Sequence, residues 1–218
     1  MITSPANGKV KRLVLLREKS RVRNQEGLFI GEGIKMFMEA PLTMLQDVYV
    51  SESFWQRVSW SEGRTQKMGA KEEQETLKAP DSRQEGRGPE KAQDEESIWN
   101  AVGKKLHTCM EMGIYTEQVS DEVMKKAADT QTPQGILFAM KQFAYSMEAL
   151  VEQAKARERE GGRAPFFLLL EDVQDPGNLG TMLRTGEGAG VDGVIMSRGT
   201  ADVYNPKTIR STMGSLYR

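Results

Sequence analysis

The 218-residue sequence has a single cysteine, Cys109, and a single histidine, His107. An intramolecular disulfide is therefore excluded, as is a structural zinc site, which draws about four ligands mainly from Cys and His. No run approaches the roughly 18–20 apolar residues of a membrane-spanning helix; the longest is Phe166-Phe167-Leu168-Leu169-Leu170. Residues Met1 to Gly8 lack the apolar stretch and cleavage site of a secretory signal. Neither sign of charge dominates, with 30 Lys and Arg against 31 Asp and Glu, so a uniformly basic nucleic-acid coat protein is excluded. These absences lead to the expectation of a soluble protein of a reducing, cytoplasmic compartment, with no membrane partner.

Apolar residues are also missing locally. Between positions 61 and 97 Leu77 is the only Leu, Ile, Val or Phe, amid many Glu, Lys, Gln, Gly and Arg residues. Such a segment buries too little apolar surface to offset its ordering entropy, so a disordered insertion is expected there.

The near-neutral total conceals a basic arm. The first 23 residues hold Lys9, Lys11, Arg12, Arg17, Lys19, Arg21 and Arg23 against Glu18 alone. Leu13, Leu15 and Leu16 lie among them in a pattern compatible with a short helix that buries one face. A solvated helix face and a phosphate-binding surface are equally compatible with this charge.

Downstream, Leu28-Phe29-Ile30 reads as a strand and Ile34 to Ala40 as a helix stopped by Pro41; Val48-Tyr49-Val50 reads as a second strand. A helix is expected where Ile98, Val102, Leu106 and Met110 recur up to Gly113, carrying His107 and Cys109 as packing or surface residues. Tyr115 to Val119, a helix opened by Ser120-Asp121-Glu122, and the strand Ile136 to Met140 complete a first α/β domain over residues 1–143. Residues 144–164 are rich in Glu, Ala, Lys, Arg and Gln and end in Gly161-Gly162, as in a helical linker with a flexible end.

From Pro165 the sequence is most informative. The apolar run enters Glu171-Asp172-Val173-Gln174-Asp175-Pro176-Gly177-Asn178, and a helix follows through Arg184. This is the order of a βα unit whose strand is buried on both faces and whose ligands bind beyond the strand's carboxyl end. Asp175 or Asn178 is the expected helix cap, with Pro176 tolerated in the first turn. Arg184 lies six residues beyond Asn178, too far for direct contact; a shared ligand or a surface ion pair of Arg184 with Glu187 both fit. Gly186-Glu187-Gly188-Ala189-Gly190 closes a helix instead of opening one, so it is no dinucleotide fingerprint. Asn205-Pro206 repeats the cap-then-Pro start, and Lys207 and Arg210 share a face of the helix that follows.

Glu171 to Gly180 through Arg184, together with Tyr204-Asn205-Pro206-Lys207 through Arg210-Ser211-Thr212-Met213-Gly214, resembles the signatures of the SpoU/TrmH family of RNA 2′-O-ribose methyltransferases, in the SPOUT superfamily. Lys9-Val10-Lys11, Arg21-Val22-Arg23, Leu28 to Gly33 and Thr132 to Leu137 resemble that family's ribosomal-protein-like RNA-binding domain. The resemblance implies an α/β chain in which residues 165–218 form the first part of a SPOUT-type domain, left incomplete before the trefoil knot. It implies transfer of a methyl group from S-adenosylmethionine to a ribose 2′-hydroxyl of rRNA or tRNA, with Arg184 and Asn178 as catalytic residues. Lys9, Lys11, Arg12, Arg21, Arg23, Lys207 and Arg210 are then the expected RNA-binding residues. Cofactor-binding residues are expected in a C-terminal segment beyond this sequence, and the full-length parent is expected to be a homodimer. The rival expectation is a non-catalytic RNA-binding module or inactive fragment.

Overall fold

The computed structural model describes residues 1–58 and 89–218. The basic arm folds as two helices, α1 (Gly8–Glu18) and α2 (Ser20–Glu26). Asn7 caps α1, its side chain accepting from the Lys9 amide at 2.9 Å, and Gly27 ends α2 in the left-handed region that favours glycine. Val10, Leu13 and Leu16 form the buried stripe, while Leu15 stays exposed.

There follow β1 (Leu28–Glu32), α3 (Ile34–Glu39), β2 (Leu45–Ser51), α4 (52–58), α5 (Pro89–Glu111), β3 (Tyr115–Val119), α6 (Asp121–Ala127) and β4 (Ile136–Lys141). The strands form one sheet in the order β1-β4-β2-β3; β4 runs antiparallel to β1 and β2, and β3 runs parallel to β2. Successive strand residues point to opposite faces, and both faces are apolar. Phe29, Val48, Val50, Phe138 and Met140 face α3 and α5 residues such as Phe37, Val102, Leu106 and Cys109. Leu28, Ile30, Tyr49, Leu137 and Ala139 meet Val10, Leu13 and Leu16 of α1 and Val123 and Met124 of α6. The result is three layers, with the arm helix packed on one of them.

Two expectations change here. Helix α5 begins at Pro89, so residues 89–97 of the expected insertion are helical; residues 61–88 lie outside the described residues. Pro89 in the first turn followed by Glu, Lys, Ala and Gln gives this stretch helix propensity without apolar periodicity. Within α5 the buried stripe is Val102, Leu106 and Cys109, not Met110, which is exposed.

The linker forms α7 (Met147–Arg159), capped by Ser146. Asp192 accepts from Arg163 at 2.9 Å and from the Phe166 amide at 2.7 Å, tying the linker's end to the next unit. That unit is β5 (Phe167–Leu170), α8 (Pro176–Ala189), β6 (Gly193–Met196) and α9 (Pro206–Thr212), with β5 and β6 parallel. The expected burial of β5 on both faces is not met: Leu170 is buried, whereas Leu169 is 71% exposed. Among the described residues this sheet has two strands, and nothing lies over the outward side of Leu169. No helix among the described residues is long and apolar enough to cross a membrane.

Helix α9 docks on the first unit. Ile209 enters the core that holds Phe29 and Met140, and the Tyr204 ring stacks on Phe29 with centroids 4.9 Å apart. The C-terminal unit therefore shares apolar packing with the N-terminal sheet.

Candidate functional site

The carboxyl ends of β5 and β6 carry the two loops named by the sequence motifs, and the loops are tied together. Asp172, at a positive φ of 49°, accepts from the Ser197 hydroxyl at 2.7 Å, and its amide donates back to the same oxygen at 2.9 Å. The Gln174 amide donates to the Gly199 carbonyl at 2.6 Å. These contacts fix the backbone from which α8 departs.

Asp175 is the cap of α8, accepting from the Asn178 amide at 2.8 Å, and Pro176 occupies the first turn. Asn205 caps α9 in the same way, accepting from the Lys207 amide at 2.9 Å. The two starts lie side by side, and Lys207 Nζ reaches Asp175 Oδ2 at 2.9 Å. Its hydrogen bond, with the amides of Asn178 and Gly177, holds the Asp175 carboxyl below its ordinary range, so the group is ionised at neutral pH. Gly180 permits the close crossing of the helices: a Cβ there would lie 2.5 Å from Ser211 Cβ and 2.6 Å from the Thr208 carbonyl oxygen.

Arg184 is exposed and has no hydrogen-bond or ion-pair partner among the described residues. The surface pair with Glu187 does not form, because Glu187 accepts from Arg218 at 2.8 Å. The side chain of Asn178 is likewise exposed and unpartnered, its capping function having gone to Asp175. Along α8, Arg184 continues the stripe of Gly177 and Gly180 that faces α9, while Asn178 lies about 120° around the helix and about 9 Å along it. The two can meet only through a ligand that spans the start of α8.

The basic residues divide into free and committed. Lys11 and Arg21 are exposed without a partner among the described residues, and Lys9 Nζ sits 3.4 Å from the centre of the Tyr115 ring. Arg12 is held by Glu26 at 2.6 Å and Asp47 at 2.8 Å. Arg210 pairs with Asp129 at 2.5 Å. Arg23 departs furthest from the expected solvent-facing cation: it is 3% exposed, donates to the Leu16 and Arg17 carbonyls, and binds Asp202 through Nε at 3.1 Å. Its charge is spent on joining α2 to the loop before α9. Arg198, in the loop after β6, is an exposed cation without a partner that no motif in the sequence marks.

A cavity of about 360 Å³ lies beside α8, with Phe143, Tyr145, Leu183, Met196, Tyr204 and Leu216 in its wall. Among the described residues the buried side-chain polar atom without a hydrogen bond is Tyr217 Oη.

Residues 165–218 match the model of the SpoU rRNA Methylase family. The chain is 39% identical over 111 residues to the 23S rRNA (guanosine(2553)-2′-O)-methyltransferase RlmP of Bacillus subtilis, a stretch that covers 51% of this chain and 39% of that protein. It is 35% identical over 106 residues to the human mitochondrial rRNA methyltransferase 3, covering 49% of this chain and 24% of the relative. In three dimensions it is similar to an rRNA methyltransferase from Sinorhizobium meliloti, with a TM-score of 0.62, 22% identity, and coverage of 99% of this chain and 61% of that one. That protein's AdoMet-bound form matches with a TM-score of 0.63. The likeness in fold to that structure therefore runs through both sheets, and the chain spans well under two thirds of the length of the curated relatives it matches.

Proposed function

We propose that this chain supplies the RNA-binding unit and the ribose-side portion of the catalytic unit of an RNA methyltransferase that moves a methyl group from S-adenosylmethionine to a ribose 2′-hydroxyl, with rRNA as substrate. The observation that carries this reading is the unpartnered Arg184, one helix stripe along from the Asp175–Lys207 pair, inside the segment that matches the SpoU family. The cofactor supplies an electrophilic methyl group. None of this chain's residues is assigned to hold it.

The acceptor side is derived from the chain itself. A 2′-hydroxyl is a weak nucleophile and gains negative charge as it attacks. A guanidinium stays protonated, so Arg184 acts as a fixed positive group that stabilises the developing oxyanion, not as a free base. Asn178 orients the same nucleotide through its amide, and Arg198 lies where the flanking backbone would pass, while Lys207 stays on Asp175. Lys9, Lys11 and Arg21 extend phosphate contact to the first unit. The methyltransferase acts as a homodimer, which sedimentation analysis tests.

Arg184→Ala in the methyltransferase should lower methyl incorporation into rRNA by about 100- to 1,000-fold, the size of one lost oxyanion donor, while RNA affinity stays nearly unchanged. Equal loss of both would make Arg184 a binding residue; retained methylation would retire the assignment.

A second reading, a non-catalytic RNA-binding module, is favoured by the exposed, unpartnered Lys11 and Arg21 on the arm, which can hold phosphate without any cofactor. Calorimetric titration of S-adenosylmethionine into the 218-residue chain separates the two. Micromolar binding favours the enzyme, and RNA binding without cofactor binding favours the module.

A further inference from the structure

A second concavity lies in the first unit, at the carboxyl end of β2, with a volume of about 410 Å³. That lies in the range of pockets that bind small molecules and single nucleotides. Its floor is backbone: at Gly135, where φ is +89°, a Cβ would sit 2.8 Å from both Phe54 Cβ and Ser51 Oγ. One wall is the Trp99 ring, held edge-on against Phe54 with centroids 4.9 Å apart. The Arg57 guanidinium lies over the Trp99 ring, 5.5 Å from its centre.

The charges of this cavity are unequal in availability. Arg57 on α4 and Lys125 on α6 are exposed cations with no carboxylate partner among the described residues. The acid in the wall, Asp121, has Oδ1 committed to the Ser53 hydroxyl at 2.7 Å and the Ser53 amide at 3.4 Å. The same hydrogen bonds keep its carboxyl below the ordinary range, leaving Oδ2 as an ionised acceptor. Gln134 accepts from the Ile34 amide at 2.8 Å through Oε1, so its NH2 donors remain unused. Two cations, one of them a guanidinium whose face is backed by an indole, one carboxylate acceptor and one amide donor thus converge on one cavity. A free phosphate would use only the cations; a nucleotide uses all of them.

We infer that this cavity holds one unstacked nucleotide of RNA, with its phosphate on Arg57 and Lys125, its base on the guanidinium face over Trp99, and its base edge on Asp121 and Gln134. The inference rests on the RNA-binding reading above and adds a site away from the SpoU-family segment. Splayed bases of single-stranded RNA are recognised by such stacking on aromatic and guanidinium planes together with hydrogen bonds to the base edge. Nothing in the sequence marks the cavity, because its residues come from α4, α5, α6 and the loop before β4.

The test is equilibrium binding of fluorescein-labelled single-stranded RNA decamers (oligo-A, -C, -G and -U) to the 218-residue chain across a salt series. Heparin serves as a polyanion without bases. Arg57→Ala with Lys125→Ala should weaken RNA binding about 100-fold, two charge-assisted contacts at about tenfold each. The same pair should lower the log–log salt slope by about 1.4, two phosphate contacts at about 0.7 each. Asp121→Asn should keep the slope and change the order of affinity among the four decamers. The proposal is overturned if the double variant binds RNA as the unaltered chain does, which leaves the RNA reading standing. It is also overturned if heparin loses the same factor and Asp121→Asn leaves the base order unchanged, which reduces the cavity to an anion patch. An unaltered chain that binds no RNA overturns the RNA reading itself.

Discussion

Tyr217 buries its phenolic oxygen without a hydrogen bond, and burial, with the Glu39 carboxylate nearby, pushes the phenol above its ordinary ionisation range. A buried hydroxyl that has exchanged water for nothing costs about 1–3 kcal/mol. Tyr217→Phe should therefore leave stability unchanged or raise it by about 1 kcal/mol in chemical denaturation; a marked loss would mean that the hydroxyl has a partner. Asp175 gives a residue-level prediction in pH. Its folded carboxyl titrates below 3.8, so the link to Lys207 is complete above that value and is lost as pH falls through the lower folded value. A carboxyl carbon NMR titration should place the Asp175 midpoint below 3.8, and a midpoint at or above it would show that the pair does not form in solution. Because both side chains are exposed, the expected effect on global stability is small.

Individual elements differ in how openly the sequence declares them. Helix α8 is announced by Asp175-Pro176 after an apolar run, and its end by Gly190 in the left-handed region, because caps are local chemistry. Helix α5 is not announced over residues 89–97, since helix propensity alone leaves no apolar periodicity to read there. The exposure of Leu169 was equally unreadable, because an apolar run does not say how many strands flank it. The crossing of α8 and α9 depends on Gly180, whose role is invisible without the partner helix. Gly180→Ala adds helix propensity worth about 1 kcal/mol, yet its methyl meets backbone at 2.6 Å. A net destabilisation of about 1–3 kcal/mol is expected in a thermal melt, and a stabilised variant would place the helices further apart.

Across the whole molecule the two sheets are joined by Ile209 and Tyr204 in the first unit's core and by the ion pair of Arg23 with Asp202. Arg23→Ala removes a buried cation and strands the Leu16 and Arg17 carbonyls, while Asp202 keeps some access to water. A loss of about 2–4 kcal/mol is expected, together with faster amide exchange in α9. Unchanged exchange there would separate the two units energetically. The cations left free on the arm make a different prediction: Lys11→Ala with Arg21→Ala should lower the salt slope of RNA binding by about 1–2. An unchanged slope would remove the arm from the RNA interface.

Strand and helix positions, the caps Ser120, Asp175 and Asn205, and the SpoU-like signature around Arg184 were set by the sequence itself, because periodicity, capping and motif spacing act over a few residues. Only the tertiary structure decided which cations remain available. Arg12, Arg23, Lys207 and Arg210 look alike in one dimension, but each meets a carboxylate that is 14 to 179 residues away. Arg184, Lys11 and Arg21 meet none among the described residues. A side chain's charge belongs to its chemistry, whereas its freedom to bind RNA depends on what folding places beside it.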